Sequence, residues 1–151
     1  MDNSTLRQRL EELTVNAVYP VNKQYTEIII PAESYHEFCS LLKNSQDMLF
    51  DYLISLTAVD WKDHFMIVCH ITSTIHRHTI IVKTQLSDYG DPVADTVSDI
   101  WRTAEFHERE VFDLFGIRFR HHPDMRRLFL EDDFGFPLRK DFTDESRMIV
   151  K

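Results

Sequence analysis

The sequence predicts an α+β fold: an antiparallel sheet with helices packed on one face, followed by an extended C-terminal arm. Three observations carry this. Apolar runs of strand length crowd between residues 50 and 84, separated by short polar turns, as antiparallel hairpins require. Stretches with apolar residues at helical spacing flank that block. Beyond Gly116 neither period continues, although the segment is rich in arginine and aromatic residues. Long irregular segments in a compact chain are usually functional or disordered, and this one is too apolar for disorder. The expected boundaries are 1–116 for the core domain and 117–151 for the arm.

Taken in order, Ser4 reads as an N-cap, and Leu6, Leu10 and Leu13 form the stripe of a short amphipathic helix. Val15 to Val21 contains Pro20, which suits an edge strand. Glu27 to Ile30 is a strand stopped by Pro31. Ala32 to Lys43 places Tyr35, Phe38, Leu41 and Leu42 on one helical stripe that ends near Asn44. Strands follow at Phe50–Val59, Phe65–Thr72 and Thr79–Thr84, with turns at Asp60–Asp63 and Thr74–Arg77. Asp88 to Pro92 breaks the pattern, and Val93 is expected to begin a helical half.

At about 100° per residue, Ala104, Val111, Phe112 and Phe115 share a helix face with Ile100 and Trp101, and Glu108 falls in the middle of that face. Glu105, Arg109 and Asp113 lie on the flank at i, i+4 spacing, and Glu110 on the far side. A Glu-Arg-Glu run usually marks a solvated face. That reading fails for Glu108, because a carboxylate on an apolar stripe needs a cation or donors. Arg126 or Arg127 is the nearest candidate, so Glu108 is expected to pin the arginine-rich segment. Gly116 stops the helix as a C′ residue. Ile117 and Phe119 then alternate with Arg118 and Arg120 as a short strand or extended arm.

The 151 residues are 43% hydrophobic and 28% charged, which suits one soluble globular domain. Asp and Glu number 25 against 17 Lys and Arg, a formal charge of −8 that argues against nucleic acid as partner. Arg118, Arg120, Arg126, Arg127, Arg139 and Lys140 form a basic island on this acidic body. Two separated cysteines, Cys39 and Cys69, exclude iron–sulfur or zinc sites built on cysteine within the chain. They suit a reducing, cytoplasmic compartment. No apolar run approaches the ~20 residues of a membrane span, so any membrane association is indirect. Three scattered glycines provide no phosphate loop. His107-Glu108-Arg109-Glu110 lacks the second histidine of H-E-x-x-H. The residues mark no catalytic, cofactor or metal site. A metal-dependent hydrolase using His107, His121 and His122 is the competing enzymatic reading, and metal analysis separates the two. The bland reading of the tail is that its aromatics complete the core; arginine and aromatic residues together also suit a protein interface.

From Glu108 to Ile117 the sequence resembles the 30 kDa (C-type) subunit family of proton-pumping NADH:quinone oxidoreductase, respiratory complex I. The resemblance continues through His122-Pro123-Asp124, Arg126-Arg127 and Pro137-Leu138-Arg139-Lys140-Asp141, and back to Thr57-Ala58-Val59-Asp60. It covers about residues 51–142. His121 stands where members usually carry glycine, Phe134 where tryptophan is common and Phe136 where histidine is common. The resemblance implies a peripheral-arm subunit without catalysis or cofactors of its own. FMN, iron–sulfur clusters, NADH and quinone then belong to other subunits of the translocase. Implied partners are the quinone-site (D-type) subunit, which is like a hydrogenase large subunit, and the iron–sulfur (B-type) subunit, on the cytoplasmic side of the inner membrane. An equivalent subunit of a membrane-bound hydrogenase is the related alternative. Arg126, Arg127, Leu138, Arg139, Lys140 and Asp141 are the expected partner contacts. Glu108, Arg109, Glu110, Asp113 and Gly116 form the structural motif that supports them.

Overall fold

The computed structural model describes residues 3–13, 17–20, 24–125 and 135–139. Helix α1 (Asn3–Leu13) buries Leu6 and Leu10; it starts one residue before the expected cap. Strand β1 (Thr26–Ile30) ends at Pro31, a short 3-10 turn spans Ala32–Ser34, and α2 (Tyr35–Asn44) buries Tyr35, Phe38, Cys39 and Leu42. Three nine-residue strands follow: β2 (Tyr52–Asp60), β3 (Phe65–Ser73) and β4 (His78–Leu86). Then come β5 (Val93–Asp95), α3 (Ala104–Phe115) and β6 (Arg118–Arg120).

The main sheet has the order β1-β4-β3-β2. It is antiparallel through β2, β3 and β4, as the short turns require, while β1 joins β4 in parallel. The 3-10 turn and α2 carry the chain from β1 back to the hairpins. Strand residues alternate between faces, and one face meets the helices. Ile28, Ile30, Leu53, Leu56, Ile67, Cys69, Ile71, Ile80 and Val82 share a core with Leu6, Leu10, Phe38, Leu42 and Phe115. The stretch expected as an edge strand at Val15–Val21 shows, among its described residues, one bridge from Val18 to Ile29.

One expectation is corrected. Val93 does not begin a helix: Val93–Asp95 pairs in parallel with Arg118–Arg120, and α3 starts at Ala104. The reason is long-range. Residues 92–96 bond to backbone groups more than twenty residues away, Arg118 N to Pro92 O and Thr96 N to Arg120 O, both at 3.0 Å. The start of the segment beyond Gly116 is thereby tied to the body of the fold, with Ile117 and Phe119 in the core.

Candidate functional site

Helix α3 packs across β2 and ends at Gly116, whose φ of 78° is the left-handed cap conformation. Gly116 N–H closes the last turn on Phe112 O at 2.9 Å. A β-carbon there would also meet the Phe136 ring at 2.7 Å, so glycine is required by packing as well as by φ. Ala104, Glu108, Val111 and Phe115 are buried on the stripe that helical spacing predicts, whereas Phe112, expected on the same face, is half-buried. Asp113, placed on the flank, is fully buried too, whereas Glu110 is half-buried. Arg109 Nη1 lies 3.9 Å from Asp124 Oδ2, joining the helix to the turn after β6.

Glu108 is 0% exposed. Its Oε1 accepts from Thr96 Oγ1 at 2.5 Å and its Oε2 from Val97 N at 2.9 Å. His122 Nε2 stands 3.8 Å away, and neither side chain of that pair reaches solvent. Burial pushes the Glu108 carboxyl up to about 7, against the opposing pull of the Thr96 and Val97 bonds. The expected pairing with Arg126 or Arg127 lies outside the described residues. Within them, Glu108 is met by neutral donors, and it is His122 through which it touches the segment beyond Gly116.

The segment 135–139 returns to the end of α3. Leu138 N–H donates to Leu114 O at 2.8 Å, which satisfies one of the helix's terminal carbonyls. The Arg139 guanidinium donates to Phe115 O at 3.4 Å and to Tyr89 O at 3.0 Å. It also lies 4.5 Å from the Tyr89 ring centroid and 5.1 Å from that of Phe65, rings that are themselves stacked at 4.8 Å. Arg139, expected to reach a partner, thus makes these contacts inside the chain. Leu138 beside it is 51% exposed. Arg126, Arg127, Lys140 and Asp141 lie outside the described residues.

Three more histidine contacts go to backbone. His76 and His78 stack at 5.8 Å, with Nε2 on Gln46 O and Met48 O respectively. His122 Nε2 bonds to Glu105 O at 3.0 Å. Among the described residues, no three His, Cys, Asp or Glu side chains are placed to share a metal ion. Cys69 accepts or donates a bond with Tyr35 Oη at 3.1 Å, and burial pushes its thiol up to about 12. No helix among the described residues is long and apolar enough to cross a membrane. Thr96, Tyr89 and Phe65 were not marked by sequence reasoning as parts of the site, and His122 was marked as a possible metal ligand and as part of the motif His122-Pro123-Asp124. His122 alone had a local signal, its place beside Pro123 after the short strand.

Comparison with known proteins gives a consistent picture. Residues 28–147 match the family described as respiratory-chain NADH dehydrogenase, 30 kDa subunit. A protein of Phocaeicola vulgatus, named as the C/D subunit of NADH-quinone oxidoreductase, is 51% identical over 121 residues, 79% of this chain and 23% of that one. The second C-type subunit of the same enzyme in Rhizobium etli is 41% identical over 117 residues, 75% of this chain and 62% of that protein. The C-type subunit of Ralstonia pickettii is 32% identical over 151 residues, 92% of this chain and 76% of that protein. The chain therefore spans under a quarter of the C/D relative and less than two thirds of the Rhizobium one. In a solved structure of an archaeal respiratory membrane complex, the membrane-bound sulfane sulfur reductase, one chain superimposes with a TM-score of 0.81. It is 28% identical, with 95% of this chain and 86% of that one covered.

Proposed function

The chain belongs to the family of the 30 kDa subunit of respiratory-chain NADH dehydrogenase, and from that premise we propose that it is a non-catalytic, peripheral-arm subunit of a proton-translocating NADH:quinone oxidoreductase. The observation that carries this is the convergence of the family match with the anchoring of the tail. The match runs through α3 and the arm, and the described part of the tail is fastened by Phe136, Leu138 and Arg139 to the end of that helix. Leu138 is thereby held in place at the surface, and preorganised surfaces bind with less loss of entropy. In this reading Arg126, Arg127, Leu138, Lys140 and Asp141 face a protein like a hydrogenase large subunit and an iron–sulfur protein of the same complex. Arg139 fastens Leu138 and its own segment to the end of α3. The relatives named C/D carry both designations on one polypeptide, which supports the first of these partners. Electrons pass through other chains, on the cytoplasmic side of the membrane.

The second reading is an equivalent subunit in a related respiratory complex. The fold it shares with a chain of the archaeal sulfane sulfur reductase favours it. One experiment separates the two and tests both. The tagged chain is recovered from membranes in mild detergent, its companions are identified, and the eluate is assayed with NADH and a soluble quinone. Co-recovery of a hydrogenase-large-subunit-like protein with NADH-driven quinone reduction supports the first reading. The same companion with a different electron donor supports the second. Recovery of the chain alone overturns both.

A further inference from the structure

Ser98, Thr96 and Glu108 form a hydrogen-bonded file that leads from a half-buried loop into the core. Ser98 Oγ lies 2.7 Å from Thr96 Oγ1, which lies 2.5 Å from Glu108 Oε1. Hydroxyls both donate and accept, so this file suits either form of the carboxyl. With Glu108 ionised, Ser98 donates to Thr96 and Thr96 donates to Oε1. With Glu108 protonated on Oε1, the carboxyl donates to Thr96 and Thr96 donates to Ser98. Val97 N–H holds Oε2 in both cases. Within the file the reversal needs only hydroxyl rotation. Thr96, the middle member of the file, also lines a cavity of about 500 Å3 bordered by Glu33, His36, Asp95, Asp99 and His121.

On its other side Glu108 is covered by His122. That ring donates from Nε2 to Glu105 O at 3.0 Å and accepts from Asp124 N–H at Nδ1 at 2.9 Å. Both ring nitrogens are thus engaged by backbone groups, one on α3 and one in the 122–124 turn. Asp99 from the loop and Glu105 from its own helix oppose its ionisation. From α2 and β3, Tyr35, Cys39 and Cys69 face it as neutral groups whose own ionisation its charge opposes. An anion buried in such surroundings is relieved by water.

We propose that Glu108 is an internal proton-binding site, exchanging with solvent through Thr96 and Ser98, and that loss of its proton loosens the turn at residues 121–124 that covers it. The proton leaves along the file to bulk water, and water enters where His122 had closed the site. The inference concerns the chain itself and does not depend on which partner it joins. The burial of Glu108 sets this exchange close to neutrality, at about 7 against an ordinary 4.5.

The test is a titration of the full chain followed by carboxyl-carbon NMR and amide hydrogen exchange. One glutamate δ-carbon titrates near neutrality, and its signal is absent in Glu108→Gln. Over the same range, opening at the Asp124 amide, corrected for intrinsic exchange, rises by about tenfold or more from about pH 6 to about pH 8. In Glu108→Gln it stays flat. Thr96→Val removes a bond that favours the anion, so the Glu108 midpoint moves upward. An ordinary glutamate midpoint for Glu108 overturns the proposal, as does Asp124 protection indifferent to that titration or a Thr96→Val midpoint that does not move. Should Glu108→Gln fail to fold, the wild-type titration and the Thr96→Val shift decide alone.

Discussion

The ring of Phe136 occupies the space that a β-carbon on Gly116 would need, at 2.7 Å. Two parts of the chain about twenty residues apart are therefore fitted to each other at the one point where α3 turns off. Glycine answers two demands there, a left-handed φ and a ring overhead.

Gly116→Ala is expected to destabilise the chain by about 2–4 kcal/mol, combining the left-handed conformation with a clash. Chemical denaturation measures it. In a Phe136→Ala background the same change costs about 1–2 kcal/mol, since only the backbone penalty remains. Equal losses in the two backgrounds would show that Phe136 is not seated on the glycine.

His121 has a φ of 65°, a conformation suited to glycine. His121→Gly relieves the left-handed strain and loses part of that gain to unfolded-chain entropy, leaving a stabilisation of about 0.5–1 kcal/mol. A fall in the thermal midpoint would contradict this.

Glu108 gives the stability a pH dependence of definite sign. Its folded carboxyl titrates at about 7 against an ordinary 4.5, so the folded state holds the proton more tightly than the unfolded chain. Its contribution is most favourable below about pH 4.5 and is lost as pH rises toward 7, a change on the order of 3 kcal/mol. Urea denaturation of wild type and Glu108→Gln across this window should give curves that diverge with rising pH, the variant gaining relative to wild type. Parallel curves would place Glu108 in water.

Arg139 meets two rings and two carbonyls with one planar group, which an ammonium cannot copy. Arg139→Lys should lower stability by about 1–3 kcal/mol. Companion recovery in the pull-down should fall with it, because the tail loses its fixed position. Full stability in Arg139→Lys would show that the clamp is incidental.

Leu138→Asp is the complementary change. The side chain is 51% exposed, so folding stability should stay within about 0.5 kcal/mol of wild type. Recovery of companions should drop if Leu138 meets a partner, and undiminished recovery removes it from the interface.

Much of this was legible in the residue order. The hairpin block, the buried stripe Ala104–Glu108–Val111–Phe115 and the glycine stop depend on local period and local φ, which neighbouring residues determine. The family motif was legible for the same reason. What only the tertiary structure decided rests on contacts between distant residues. Val93–Asp95 is a strand because Arg118–Arg120 pairs with it, and β1 runs parallel to β4 because α2 carries the chain back across the sheet. Glu108 announced itself as a carboxylate that must be answered. That Thr96, Val97 and His122 answer it depended on which loops close over the helix, a choice made by long-range packing rather than by any neighbour in sequence.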